Sequence, residues 1–270
     1  DPIKQGRFTI SDFHPKRRPL TVPEIFIYSS NIGTAKMAAT LGNDKMQEFY
    51  RSMGFLDQAK IELPERGTPI YPTPWRDIST LTTAFGHGIA ISPLHLVRAA
   101  AALVNGGIMH PATLVESDKE PVGERVVSEK TSRQLRQLLE LVVVDGTGTN
   151  AYVDGYNVGG KTGTAEKNIH GGYQHDILLS SFLGVFPVQA PRYVVLTILD
   201  EPQGIKDTYG FATGGWTAAP VVARVIEQMA PLYRMTPDPG RTNKNIEKEM
   251  GMYLRELKEG STLASLGTDR

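Results

Sequence analysis

The 270-residue sequence predicts an α+β fold: an antiparallel sheet flanked by helices, together with an all-helical part. Three observations predict it. Helix-type segments fill the first half of the chain and strand-type runs come after them, instead of alternating with them. Two of those runs, DILLSSFLGVF (176–186) and RYVVLTIL (192–199), are joined by PVQAP, which suits a hairpin and is too short for a parallel crossover. A strongly helical segment, 217–229, closes the order.

The elements follow from local signals. Thr21-Val22-Pro23-Glu24 has the form of a capping box with proline in the first turn, and predicts a short helix. Tyr28-Ser29-Ser30-Asn31 interrupts it, and apolar and small residues resume in IGTAKMAATLG, a second helix ending at Gly42. DKMQEFYRSMG predicts a third, ending at Gly54. Residues 55–80, with Pro64, Pro69, Pro72 and Pro74, read as loop. Ser92 as N-cap and Pro93 in the first helical position open a nearly all-apolar helix through LHLVRAAAALV, which its composition marks for burial. Leu135, Leu138, Leu139 and Val142 recur at helical spacing in 132–143, and DGTGTN breaks that helix. VGGKTGTAEK (158–167) reads as a strand, with His170 and His175 in the turn after it. Residues 1–235 form the folded domain; 236–270 read as a linker-like tail, TPDPGRTNKN followed by an exposed helix in IEKEMGMYLRELKE.

Composition excludes several classes. Lys plus Arg and Asp plus Glu both number 29, which argues against general affinity for nucleic acid or anionic membranes. Without cysteine there is no thiol catalysis, no disulfide and no thiolate metal site. No stretch reads as a transmembrane helix, and DPIKQGRF lacks an initiator Met and a signal pattern, so the chain reads as a piece of a longer polypeptide. His170 and His175 are expected to be solvated, no metal or cofactor is expected, and His87 between Gly86 and Gly88 is expected to be structural.

The chemistry concentrates in two motifs. Gly159, Gly160 and Gly163 weaken a strand interior unless something approaches its backbone closely. Thr162 and Thr164 add hydroxyls and Lys161 a positive charge, so the stretch reads either as a strand built to receive a ligand along its backbone or as a turn before a solvated strand with Lys161 exposed. Ser29-Ser30-Asn31 is a Ser-x-Asn at a helix break; taken alone, such a triplet is more often a cap or turn. Ser-x-Asn followed by Lys-Thr-Gly-Thr is two of the three signatures of β-lactam-reactive acyltransferases.

With these motifs stand VPEIFIYSSNIGTAKMA, TAFGHGIAISPLHLVRAAAALVNGG, DGTGTNAYVDGYNVGGKTGTAEK and SSFLGVFP. Together they resemble the transpeptidase domain of class B penicillin-binding proteins, most closely the division-specific branch, over about residues 1–235. The resemblance implies a peptidoglycan D,D-transpeptidase cross-linking septal wall through acyl transfer from D-Ala-D-Ala stem peptides. Ser29 would pass a proton toward the leaving amine, and Asn31 would bind a substrate amide. Lys161 would hold Ser29 and attract the substrate carboxylate, which Thr162 and Thr164 would hydrogen-bond. The Thr164 N–H would form half of an oxyanion hole, and Gly163 would keep the strand edge open. Tyr209 and Phe211 would form an apolar wall over a bound acyl group, or simply pack on each other. The implied partners are stem peptides, β-lactams and divisome membrane proteins, with no nucleic acid. The implied location is the periplasmic face of the inner membrane, reached only through an N-terminal anchor outside this chain.

One departure is plain: no serine here has lysine three positions on, so the family's Ser-x-x-Lys nucleophile is not in these residues, and the fold is expected to be incomplete at its N-terminus. Two other readings therefore stand beside the first. One is a serine β-lactamase or D,D-carboxypeptidase of the same superfamily; the other is a non-catalytic penicillin-recognition sensor or scaffold.

Overall fold

A computed structural model of the chain describes residues 1–6, 8–119, 121–169 and 172–238. In chain order the elements are β1 (Ile3–Gln5), β2 (Phe8–Ile10), α1 (Val22–Ile27), α2 (Asn31–Leu41), α3 (Asn43–Ser52), α4 (Asp77–Thr83), α5 (Pro93–Val104), β3 (Ile108–Met109), β4 (Glu124–Arg125) and α6 (Glu129–Asp145). Then come β5 (Gly159–Ile169), β6 (Gly172–Phe186), β7 (Tyr193–Asp200), α7 (Gly214–Thr217) and α8 (Ala219–Leu232). The chain divides into two compact units, residues 1–20 with 29–135 and residues 21–28 with 136 onward.

The first unit holds α2 to α5 and two small antiparallel pairs, β1–β2 and β3–β4. Its apolar contacts form separate small clusters. Met53, Ala99, Ala102 and Met109 make one, and Ile10, Ala35 and Leu81 another. α5 opens as its sequence predicts. Ser92 bonds the ring Nδ1 of buried His95 at 2.8 Å, while His95 Nε2 lies 2.9 Å from the Asp57 carbonyl. A carbonyl only accepts, so Nε2 carries the proton and Nδ1 receives the Ser92 hydroxyl. The helix is less buried than its composition predicts: Ala99, Ala102 and Val104 are buried, and most other positions are half-buried.

The second unit is built on a three-stranded antiparallel sheet, order β5–β6–β7, with the hairpin β6–β7 where the sequence predicts it. Ala219, Val222, Ala223, Ile226 and Ala230 of α8 share one face by their three- and four-residue spacing, and join Phe182 and Phe186 of β6 in the main core. Both phenylalanines are fully buried; truncating either to alanine costs about 3–5 kcal/mol by loss of transfer energy and an unfilled cavity. α1 begins with the predicted capping box. Thr21 N–H donates to Glu24 Oε2 at 3.0 Å, and Glu24 N–H to Thr21 Oγ1 at 3.4 Å.

Several expectations need correction. The loop-rich stretch 55–80 ends in helix α4, whose first turn is closed by Arg76 N–H donating to Ser79 Oγ at 3.1 Å. The two small sheets of the first unit have no counterpart among the predicted elements. The closing helix is two, α7 and α8, divided at Ala218 with Pro220 in the first turn of α8. β5 runs on to Ile169 and β6 begins at Gly172, so His175 belongs to a strand and not to a turn. His170 lies outside the described residues, as does the tail from residue 239. Among the described residues no helix is long and apolar enough to cross a membrane.

Candidate active site

The Ser-x-Asn triplet lies at the start of α2 in the first unit. Ser29 takes a left-handed backbone, φ 55°, where a side chain costs on the order of 1 kcal/mol. Ser30, the unspecified middle position, is the buried one and the structural one. Its hydroxyl donates to the Asp12 carboxylate at 2.9 Å and accepts from Gly33 N–H at 3.0 Å as the N-cap of α2. Asp12 also accepts from Ile32 N–H at 2.9 Å, so one carboxylate organises the helix start. Asn31 is the first helical residue, and its Nδ2 donates to Ser11 O at 3.1 Å. A carboxamide has a second N–H and an acceptor oxygen, so this bond fixes the side chain without exhausting it.

Lys161, Thr162, Gly163 and Thr164 lie on β5, opposite Leu183, Phe182, Ser181 and Ser180 of β6. β5 pairs with β6 alone among the described strands, so it is an edge of the sheet. Its hydroxyls are oriented from outside the strand. Thr164 Oγ1 accepts from Gly214 N–H at 3.1 Å, and Thr162 Oγ1 lies 2.7 Å from Thr147 Oγ1 in the turn after α6. Lys161 Nζ donates to Thr162 O at 3.2 Å and to Thr162 Oγ1 at 3.4 Å. Burial of the ammonium lowers the Lys161 pKa to about 8, so the cation is charged at neutral pH at a desolvation cost.

Close approach explains the glycines. A β-carbon on Gly160 would lie 2.5 Å from Phe182 Cε1 and 2.7 Å from Leu183 O. One on Gly214 would lie 2.6 Å from Gly163 O and closer still to Ser181 O, so only glycine lets the first turn of α7 reach β5 and β6. Buried Ser180 holds the segment before that turn, donating to Ala212 O at 2.6 Å.

Tyr209 and Phe211 are not an isolated pair. Phe211 stacks on Trp216 at 5.6 Å between centroids, and Tyr209 meets the same ring edge-on at 5.5 Å. Tyr209 is 78% exposed at the left-handed end of a 3₁₀ turn. His87 lies between Gly86 and Gly88, which have φ of 89° and 81° and make the turn.

Sequence reasoning missed Asp12, Ser30, Thr147, Gly214 and Trp216. Ser30 stands in the unspecified place of its motif. Thr147 sits in DGTGTN, which signals a helix stop, and its partner is on another element. Trp216 follows the ATGG run, where an aromatic residue three positions after Thr213 is the one available cue.

The family model of the penicillin-binding protein transpeptidase domain matches residues 2–227. A probable peptidoglycan D,D-transpeptidase FtsI from Caulobacter vibrioides is 43% identical over 242 residues, covering 86% of this chain and 41% of the relative. Stage V sporulation protein D of Bacillus subtilis is 34% identical over 92% of the chain and 41% of its own length. The chain thus spans about two fifths of the curated relatives it matches. Among solved structures, the transpeptidase domain of Burkholderia pseudomallei penicillin-binding protein 3 superposes with TM-score 0.79 at 34% identity, over 87% of this chain and 71% of that one. Penicillin-binding protein 3 of Mycobacterium tuberculosis, solved with ampicillin, gives TM-score 0.79 at 25% identity over 88% of this chain and 57% of that one. On the family match, and with the α+β fold shared with these neighbours, the chain belongs to the penicillin-binding protein transpeptidase domain family.

Proposed function

We propose that these residues are part of a serine-type peptidoglycan D,D-transpeptidase, with the nucleophile supplied by a Ser-x-x-Lys outside them. The observation that carries the reading is edge strand β5. It carries an ammonium and two oriented hydroxyls at Lys161, Thr162 and Thr164, on an edge that no described strand covers. A C-terminal D-Ala-D-Ala peptide is extended and ends in a carboxylate, and it can add to such an edge by backbone hydrogen bonds while the cation meets its charge.

Each residue then has a task. Thr164 Oγ1 already accepts from Gly214, so its own proton is available to the ligand carboxylate. Thr162 supplies a second hydroxyl, and the Thr164 N–H serves the oxyanion as the serine attacks the penultimate carbonyl. The lysine of the outside Ser-x-x-Lys takes the proton of the attacking serine, and when the peptide bond breaks Ser29 passes that proton on to the departing D-alanine amine, while Asn31 holds a substrate amide. An acceptor amine of a second stem peptide then takes the acyl group from the serine. β-Lactams react at the same serine, and Tyr209, Phe211 and Trp216 form the apolar surface for the acyl substituent. In line with the division-specific resemblance, the substrate is septal peptidoglycan, the setting is the periplasmic face of the inner membrane, and divisome proteins are partners.

The experiment is a labelling assay with a fluorescent penicillin. The full-length protein should form a covalent band, and residues 1–270 alone should not. Ser29→Ala and Lys161→Ala in the full-length protein should each slow labelling, and the double variant should be less than multiplicative, because the two are proposed to act together. A labelled band from residues 1–270, lost in Ser29→Ala, would show that Ser29 is the nucleophile and overturn these roles.

A further inference from the structure

Thr162 meets the edge of β5 with a rotatable hydroxyl, which does not set its own direction. What sets it is legible at Thr147. This residue lies in the turn between α6 and the 3₁₀ turn Thr149–Ala151, and the turn is held on several sides. Thr147 N–H donates to Ile27 O at 3.2 Å, and Gly148 N–H to Val142 O at 3.0 Å. Asn150 Nδ2 donates to Gly215 O at 2.9 Å. The Thr147 carbonyl lies so close under Gly215 that a β-carbon there would clash with it. The backbone carrying Thr147 is therefore fixed against α1, α6 and the first turn of α7, all within the second unit.

From this fixed point the Thr147 hydroxyl lies 2.7 Å from the Thr162 hydroxyl. A hydroxyl has one proton and two acceptor positions. Lysine only donates, so the Lys161 contact at 3.4 Å occupies one acceptor position of Thr162 Oγ1. Thr147 takes the proton or the other acceptor position. When Thr147 donates into the second acceptor position, the Thr162 proton is left to point at a ligand carboxylate. Thr147 is itself exposed, so its hydroxyl is not there to satisfy a core.

We infer that Thr147 is a positioning residue of the acyl-transfer site, acting through the Thr162 hydroxyl on edge strand β5. The inference rests on the transpeptidase reading given above.

The test uses the full-length protein and a fluorescent penicillin, with the acylation rate constant and the affinity of the preceding complex measured separately. Thr147→Val keeps the shape and removes the hydroxyl; acylation should slow about two- to tenfold, the effect of one net hydrogen bond. Thr147→Ser should recover most of that loss, which a packing role for the methyl group would not allow. Thr147→Val combined with Thr162→Val should be no slower than Thr162→Val alone, since the first acts through the second. If valine lowers the melting temperature, Thr147→Ala, smaller at an exposed position, repeats the measurement. Unchanged acylation in a folded Thr147→Val, or effects that multiply in the double variant, overturns the assignment. A wild-type protein that takes no label overturns the transpeptidase reading and the assignment with it, so the two failures are told apart by the wild type.

Discussion

The start of α2 and the middle of β5 place polar groups by opposite means. At α2 the placement is done by burial and strain. Ser30 is buried, Asp12 collects the Ser30 hydroxyl and the Ile32 N–H, and Ser29 is held at φ 55°. At β5 it is done by repetition and close approach. The ladder to β6 sets the register, and Gly214 and Thr147 aim the hydroxyls from neighbouring turns. The difference teaches where each region is vulnerable. A helix start fails when its cap is lost, whereas a strand edge fails when something grows into the space its glycines leave. Lys161 belongs to neither scheme, because it is held at a cost to stability.

That cost gives the largest expected effect. The folded Lys161 pKa of about 8 lies below the ordinary value of 10.5, so below pH 8 the charged form is disfavoured by folding. The shift corresponds to about 3 kcal/mol at most. Between about pH 8 and 10.5 the unfolded chain keeps a proton that the folded chain has lost, so the penalty disappears as pH rises through that window. Lys161→Met should therefore raise the urea midpoint at pH 7, and its advantage should vanish by about pH 10.5. The same variant should lose acylation by about 1.5–3 kcal/mol, the worth of a charge-assisted bond. In the wild type acylation should fall as pH rises past about 8. A Lys161→Met that is less stable at pH 7 would show that the ammonium is supporting the fold, and would erase its contrast with both regions.

The next effect breaks β5 by growth. Gly214→Ala puts a methyl group against the carbonyls of Ser181 and Gly163, backbone atoms that have no rotamer to change. Overpacking of this kind costs about 1–3 kcal/mol. The Thr164 hydroxyl should lose its Gly214 partner at the same time, so thermal melting and acylation should both drop. Loss of acylation without loss of melting temperature would mean the turn moves aside easily.

How far these regions were legible in the sequence differs in the same way. β5 and the hairpin after it announce themselves, because glycine, threonine and alternating apolar residues are local signals for a pleated edge. α1 and α5 are legible through their caps at Thr21 and Ser92. α4 was not, because it buries Ser79, Thr80 and Thr83 along with Leu81 and so shows no apolar stripe. Its helix is secured by distant partners: Thr80 Oγ1 to Asn43 Oδ1, and Tyr50 OH to Thr83 O at 2.7 Å. The site divides likewise. Ser29, Asn31, Lys161 and Thr164 were readable as motif, whereas Asp12, Thr147 and Gly214 matter only through partners 15 or more residues away.

Breaking the α2 scheme should cost less. Ser30→Ala removes the cap on Gly33 N–H and the bond to Asp12, a loss of about 1 kcal/mol for an N-cap. It should appear as a lower melting temperature. Acylation should fall only as far as the position of Asn31 loosens, because Asn31 keeps its own bond to Ser11. A loss of acylation as large as that of Lys161→Met would mean Ser30 itself meets the substrate.

The smallest effect separates strain from chemistry at one residue. Ser29 has φ 55°, a region glycine enters freely and other residues enter at a cost of order 1 kcal/mol. Ser29→Ala keeps that cost and removes the hydroxyl. Ser29→Gly removes both, but glycine also gains freedom in the unfolded chain, which offsets part of the relief. The net difference should be a few tenths of a kcal/mol to about 1 kcal/mol, with the glycine variant melting above the alanine variant. Their chemistry should not differ, because both lack the hydroxyl proposed to pass a proton to the leaving amine. Equal slowing with unequal melting would assign the hydroxyl to the reaction and the left-handed turn to the fold. If the glycine variant turned over faster than the alanine one, the backbone at residue 29, and not its hydroxyl, would be what the site requires.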